Sequence, residues 1–426
     1  MAYTKIINWL MLILFLAALL FVPLWWLTRQ GEWQTWSEVE VRNLALFPGL
    51  NLAEMQAGFR ALLRGDVPEA KSLILGQFLN LSFQAAFNDA TVDQFPYRIA
   101  LTSTGRALER ASIRAAYSIF KDPAIPASLD TDYLIMRDEQ VFIQYPVPQS
   151  YVSRSTIDKR IQNYRDLTDA HPDIYFFVFY LERMAFAPYN PAQETFPEAD
   201  NGTSFQYFLE NKPEKLTVSS LRLTSLEEHK EKFFRTDHHW NARGAWAGYS
   251  IIYDMLAERV PDLSPKLELR EFQKIDGVAF CGSYARRTLV PCDPEPFEVA
   301  IVDLPPYTTY IDGQPQQYGH REEYLRSEFE KNRFTNHYAE YYGNVIDLVE
   351  YEFENGSSRD LLLFGNSYSQ AVKLFIASHY RHTYAFDFRE YSDFSLSEFL
   401  AEHPVDDVLL IGDLLAYGRE DWIINP

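Results

Sequence analysis

DLLLFGNSYSQAVKLFIASHY, residues 360–380, decides how this 426-residue chain is read. Leu361 to Phe364 form an apolar run that stops at Gly365, as a strand does at the edge of a sheet. SYSQAVKLFIASHY then predicts a helix, with Ser367 at the turn between the two. A serine there projects from the C-terminal edge of a parallel sheet, where α/β sites form. The helix N-terminus offers unpaired N–H groups and partial positive charge, both suited to holding an oxyanion. An ordinary N-cap serine is the simpler reading of this segment by itself.

The same pattern extends outward. DIYFFVFYL (173–181) is apolar on both faces and follows STIDKRIQNYRDLTDAH (155–171), an amphipathic helix. A helix leading into such a strand is the mark of a parallel sheet with helices on both sides. TYAFDF (383–388) and DDVLLIG (406–412) predict further strands, as do DYLIM and QVFIQY before residue 146. ENKPEKLTVSSLRL predicts a short helix and a strand, and AWAGYSIIYDMLAERV (245–260) an amphipathic helix. Residues 265–345 are rich in Pro and Tyr and suggest β-hairpins and loops, an insertion or a lid. Residues 30–125 read as helical, with AEMQAGFRALL and ALERASIRAAYSIF at three- and four-residue spacing and breaks at FPGL and DQFPYR. The expectation is a helical stalk or cap followed by an α/β domain over 126–426.

Ile6 to Leu27 is almost wholly apolar, and its 22 residues rise about 33 Å as a helix, enough for a hydrocarbon core of about 30 Å. Trp25 and Trp26 mark one interface. A cleaved signal peptide would have a shorter apolar run and a small-x-small site, and WWLTRQGEW offers none. This predicts one uncleaved transmembrane helix, N-terminus in the cytoplasm and main domain outside the cell membrane. The net charge of −20 argues against a nucleic-acid partner. Aromatic residues make up 15% of the chain, which suits a sugar cleft but equally an aromatic core. The two cysteines, Cys281 and Cys292, lack zinc-site spacing. Outside the cytoplasm they close a short disulfide loop; inside they are two buried thiols.

TDHHWN (236–241) changes the weight of Ser367. A nucleophilic serine needs a base, and the base needs an orienting carboxylate. Asp237 and His239, two residues apart before an amphipathic helix, fit base and carboxylate on one side of a turn. Trp240 is placed to pack beside the imidazole. His238 is the competing base. A metal reading of Asp237, His238 and His239 is weak, because adjacent histidines rarely share an ion and no third ligand set has helical spacing. No cofactor signature is present. Arg235 suits a salt bridge or a substrate anion, and Tyr368 lines the pocket or packs. Asp387 and Arg389 suit a structural ion pair. Asn80, Asn201 and Asn355 fit the glycosylation sequon.

FFRTDHHWNARGAWAGY resembles the signature of the DHHW protein family, which is similar to the alginate O-acetylation proteins of SGNH-hydrolase-like fold. EVEVRNLALFP (38–48), NDATVDQFPYR (88–98), DLLLFGNSYSQAVKLFIASHY, FDFREY and DDVLLIG extend the likeness along most of the chain after the anchor. The resemblance implies a permuted order, with Asp237 as acidic member, His239 as base and Ser367, last in the chain, as nucleophile. It implies transfer of acetyl groups to an extracellular polysaccharide, beside a multi-pass membrane-bound O-acyltransferase as donor. Asn366 stands where related sequences often carry Asp, and retains a structural or oxyanion role. Two other readings remain: a non-catalytic subunit that docks on the acyltransferase or binds polysaccharide, and an acetyl esterase using the same triad. A lipase or peptidase is disfavoured by the missing GxSxG elbow.

Overall fold

The computed structural model describes residues 52–79, 98–121, 133–136, 141–288, 290, 292–320, 335–344, 348–387 and 395–413. The predicted anchor, the break at FPGL, residues 93–97 of the break at DQFPYR, Asn80 and Arg389 lie outside them. Among the described residues no helix is long and apolar enough to cross a membrane. The chain divides into two compact units, residues 1–111 and 112–426. In the first, α1 (Leu52–Leu63) and α2 (Val67–Leu79) pack as a helical pair. The 23-residue α3 (Arg98–Phe120) runs across the boundary.

In the second unit a small ribbon, β1 (Tyr133–Ile135) with β2 (Phe142–Gln144), precedes α4 (Arg154–Ala170) and β3 (Tyr175–Leu181). Then come α5 (Thr203–Asn211), β4 (Leu216–Leu221), α6 (Leu226–Lys232) and α7 (Ala242–Ala257). A separate antiparallel ribbon follows: β5 (Leu269–Phe280), α8 (Ser283–Thr288) and β6 (Glu295–Val302). The remaining elements are β7 (Tyr307–Ile311), β8 (Gln314–Pro315), α9 (His337–Tyr342), β9 (Leu348–Phe353) and β10 (Asp360–Gly365). Last are α10 (Lys373–Ala377), β11 (His382–Asp387), α11 (Leu396–Glu402) and β12 (Asp407–Gly412).

The central sheet has eight strands in the order β4-β3-β12-β10-β11-β9-β7-β8. The first five are parallel, whereas β9, β7 and β8 extend the sheet antiparallel at one edge. The purely parallel sheet expected from the sequence is therefore mixed. Residues 307–315, read as part of an insertion or lid, supply two of its strands.

Side-chain alternation divides the core. Phe177, Phe179, Leu361, Leu363, Leu409 and Ile411 face Tyr249, Ile252 and Leu256 of α7. Phe176, Val178, Leu362, Phe364, Val408 and Leu410 face Ile157, Ile161 and Leu167 of α4 and Phe205 and Phe208 of α5. Both faces are covered, so the central strands carry no polar face. Ser153 caps α4 by accepting the Thr156 N–H at 3.1 Å. From β10 the chain passes to β11 on one side and returns as β12 on the other, which opens a crevice at the carboxyl ends.

Beside that crevice Arg222 Nε donates to Glu182 Oε1 at 2.9 Å, tying the ends of β3 and β4. Burial lifts the Glu182 carboxyl to about 6 against the pull of Arg222, and Asp200 adds to the rise. A raised acid stabilises the fold fully below its unfolded value near 4.5, and the contribution is lost as pH rises through about 6. Urea unfolding should show wild type losing about 2 kcal/mol across that window relative to Glu182→Gln, which removes the titration.

Candidate active site

The TDHHW segment is a closed loop. Phe234 N–H donates to the His239 carbonyl at 3.2 Å, and Phe233 and Trp240 form an antiparallel bridge. Asn241 then caps α7, accepting the N–H groups of Arg243 at 3.0 Å and Gly244 at 3.1 Å. Inside the loop Asp237 folds back in an Asx turn, its Oδ1 accepting the His239 N–H at 2.9 Å. The same oxygen lies 2.7 Å from His239 Nδ1. The two-residue spacing thus serves both bonds, and it turns Nε2 away from the carboxylate.

The β5–β6 ribbon holds this loop from behind. Glu295 accepts the N–H groups of Arg235 at 3.1 Å and Thr236 at 3.2 Å, and the Thr236 hydroxyl at 2.9 Å. Thr236 Oγ1 accepts the Gly282 N–H at 2.8 Å, and Asp237 Oδ2 accepts the Ser283 N–H at 2.6 Å. Cys281 and Cys292 are joined as a disulfide with Cα atoms 6.3 Å apart, closing the ends of the segment that carries Gly282 and Ser283. Burial by itself would raise the Asp237 carboxyl, but His238 and His239, by charge and hydrogen bonds, hold it well below the ordinary range. Burial raises Glu295, against its bonds from Arg235 and Thr236.

His238 takes a different position. Its Nδ1 lies 3.0 Å from Ser283 Oγ and 3.2 Å from Asp237 Oδ1, and its side chain is 26% exposed against 9% for His239. Asp237, His238 and His239 present ligand atoms within 4.8 Å of one another. Within this cluster Asp237 Oδ1 accepts the His239 N–H and Oδ2 the Ser283 N–H. Arg235 pairs with Glu295 at 3.7 Å and braces the loop.

The serine turn reaches this loop through two tyrosines. Tyr338 of α9 stacks on His239, ring centroids 4.0 Å apart at 14°, and its hydroxyl donates to the Ser367 carbonyl at 3.1 Å. That hydroxyl also accepts the Trp240 indole N–H at 3.2 Å. Tyr368 meets the His239 ring edge-on at 5.5 Å and donates to the His238 carbonyl at 3.1 Å. Ser367 is thus linked to the histidine loop through Tyr338 and its neighbour Tyr368, and its hydroxyl makes no hydrogen bond to either ring among the described residues. Trp240 is fully buried and packs edge-on against Tyr368.

Asn366 Oδ1 accepts the Tyr368 N–H at 3.1 Å, and its Nδ2 faces Asp413 Oδ1 at 3.4 Å. Asp413 in turn pairs with Arg183 at 3.2 Å, and Arg183 donates to Gln144 at 2.7 Å. Arg183 is the second residue after β3, and Asp413 directly follows β12. The long helix expected after Ser367 is instead one 3-10 turn, Ser369–Ala371, and the five-residue α10. The backbone leaves the helical region at Val372 (φ −121°), so few peptide dipoles line up behind Ser367.

Tyr338, Glu295, Gly282, Arg183 and Asp413 are parts of the site that the sequence reading missed. Asp387 is buried and lies near Lys373. The Asn355 amide is spent on the carbonyls of Ser378 and Tyr380, at 2.7 and 2.8 Å. Asn201 lies at positive φ, 53°.

The chain is thus a mixed α/β protein with a central sheet, flanking helices and an Asp-His pair at the sheet's carboxyl edge. Its fold is similar to that of solved structures of low sequence identity. Bacillus cereus PatB1, solved with a sulfonyl adduct, aligns over 70% of this chain and 100% of its own, at 16% identity and TM-score 0.53. A DHHW family protein from Eubacterium siraeum aligns over 70% of this chain and 96% of its own, at 20% identity and TM-score 0.47. The O-acetyltransferase domain of Pseudomonas putida AlgJ aligns over 68% and 96%, at 12% identity and TM-score 0.37. No protein-family model and no curated relative matches the sequence.

A Cβ at Gly282 would sit inside the Asp237 side chain and 2.7 Å from the Thr236 carbonyl. Gly282→Ala is expected to cost about 1–3 kcal/mol in denaturant unfolding. It should also abolish the downfield proton resonance of the His239 Nδ1–H in NMR.

Proposed function

We propose that this chain is a membrane-anchored extracytoplasmic O-acetyltransferase of SGNH-hydrolase type that acetylates a polysaccharide. The observation that carries the reading is Asp237 at 2.7 Å from His239 Nδ1, in a loop joined to Ser367 through Tyr338. His239 Nε2 takes the Ser367 proton as Oγ attacks the acetyl carbonyl. The donor's acyl bond breaks, its leaving group receives that proton, and acetyl-serine remains. A sugar hydroxyl then attacks the acetyl carbon, gives its proton to His239, and Ser367 regains it. The Ser367 N–H and the second N–H of the Asn366 amide are the oxyanion donors in this scheme. A multi-pass membrane-bound O-acyltransferase supplies the acetyl group, and residues 6–27 hold the domain beside it.

Transfer rather than hydrolysis is favoured by the shielding of the base. Tyr338, Tyr368 and Trp240 pack around His239, and water reaches a covered acyl-enzyme less readily. The full chain should cleave p-nitrophenyl acetate, and Ser367→Ala and His239→Ala should each lower the rate by at least about a hundredfold. A sulfonyl fluoride should add one sulfonyl mass, located on Ser367 by peptide mass spectrometry. Equal rates for wild type and Ser367→Ala would leave the docking-subunit reading in its place.

A further inference from the structure

A cavity of about 500 Å³ lies at the antiparallel edge of the central sheet. Its walls include Tyr307, Thr308 and Thr309 of β7 and Gln316, Gln317 and Tyr318 after β8. The volume is that of a small-molecule site, about 300–1,000 Å³. Among the described residues the lining is aromatic rings, hydroxyls and amides, with no acid, lysine or arginine. Its one titratable base, His320, is kept neutral by burial, which lowers it to about 3.

Tyr318 connects this cavity to the serine turn. Its ring lines the cavity, and its hydroxyl bonds to Gln370 Oε1 at 3.2 Å and accepts from Lys373 Nζ at 3.2 Å. The hydroxyl also bonds to the Asn344 carbonyl. Gln370 lies three residues after Ser367, and its N–H donates to the Ser367 carbonyl at 3.3 Å. Helix α9 supplies a second link. Tyr338 of that helix covers His239, and Tyr342 meets His320 edge-on at 5.1 Å. Gly343 then lets the Tyr318 ring close in, for a Cβ there would lie 2.6 Å from it.

We propose that this cavity holds a neutral saccharide unit of the acceptor, an assignment that rests on the polysaccharide O-acetyltransferase reading. Pyranose rings pack on aromatic faces, and their hydroxyls pair with hydroxyl and amide side chains. Tyr307 is 37% exposed and is stacked from behind on Phe353 at 5.0 Å, which fixes its ring as a platform. An acidic sugar would bring a carboxylate into a lining whose described residues offer it no cation, on a chain of net charge −20. Lys373, behind Tyr318, is spent on the tyrosine hydroxyl.

The test uses the full chain in detergent, titrated calorimetrically with cellotetraose, chitotetraose and a mannuronate tetrasaccharide. A neutral oligosaccharide should bind. Tyr307→Ala and Gln316→Ala should each weaken it at least tenfold and leave p-nitrophenyl acetate cleavage unchanged. Wild type that binds neither neutral probe, binds the acidic one more tightly, or loses no affinity in both variants overturns the assignment. Sugar binding that persists while cleavage proves independent of Ser367 supports the cavity and removes only the catalytic reading.

Discussion

Asp237 carries a charge in a place where a charge is costly. Its side chain is 3% exposed, and an ionised carboxylate removed from water must find compensation in hydrogen bonds and opposite charge. It finds both. One oxygen accepts from the backbone and ring of His239, the other from the Ser283 N–H. The Gly282 contact, the Glu295 bonds and the disulfide all serve to keep those donors in place. The β5–β6 ribbon, which joins no strand of the central sheet, has its structural reason here.

Much of the scaffold was legible because the central strands are buried on both faces. β3, β10 and β12 read as unbroken apolar runs, a pattern that needs no knowledge of their partners. The antiparallel edge was not legible. YTTYI in β7 and LVEYEF in β9 alternate polar and aromatic residues, and their pairing joins segments more than 40 residues apart. The helix after Ser367 was overread, since periodicity cannot register a break at a single valine.

The site was legible where its parts are close in sequence. Asp237 and His239 are joined by an Asx turn, which is local geometry, and a two-residue spacing announces it. What distinguishes the surroundings of His238 and His239 was not local. It depends on Tyr338 covering one ring and Ser283 approaching the other, from about 100 and 45 residues away. Tyr338 sits in HYAEYY, too short for any helical pattern to emerge. Arg183 and Asp413 are charged residues just after apolar strands, and only the strand order shows that they meet.

Helix α9 sets a limit on how such a protein can vary. Its six residues present Tyr338 to the imidazole and Tyr342 to His320, a wall of the neighbouring cavity. Successive residues on a helix are turned by about 100°, so one inserted or deleted residue would swing one tyrosine out of place relative to the other. Its length is therefore pinned at both ends. Side chains in β7 and the turn after β8, by contrast, can be exchanged without moving the tyrosine that covers His239.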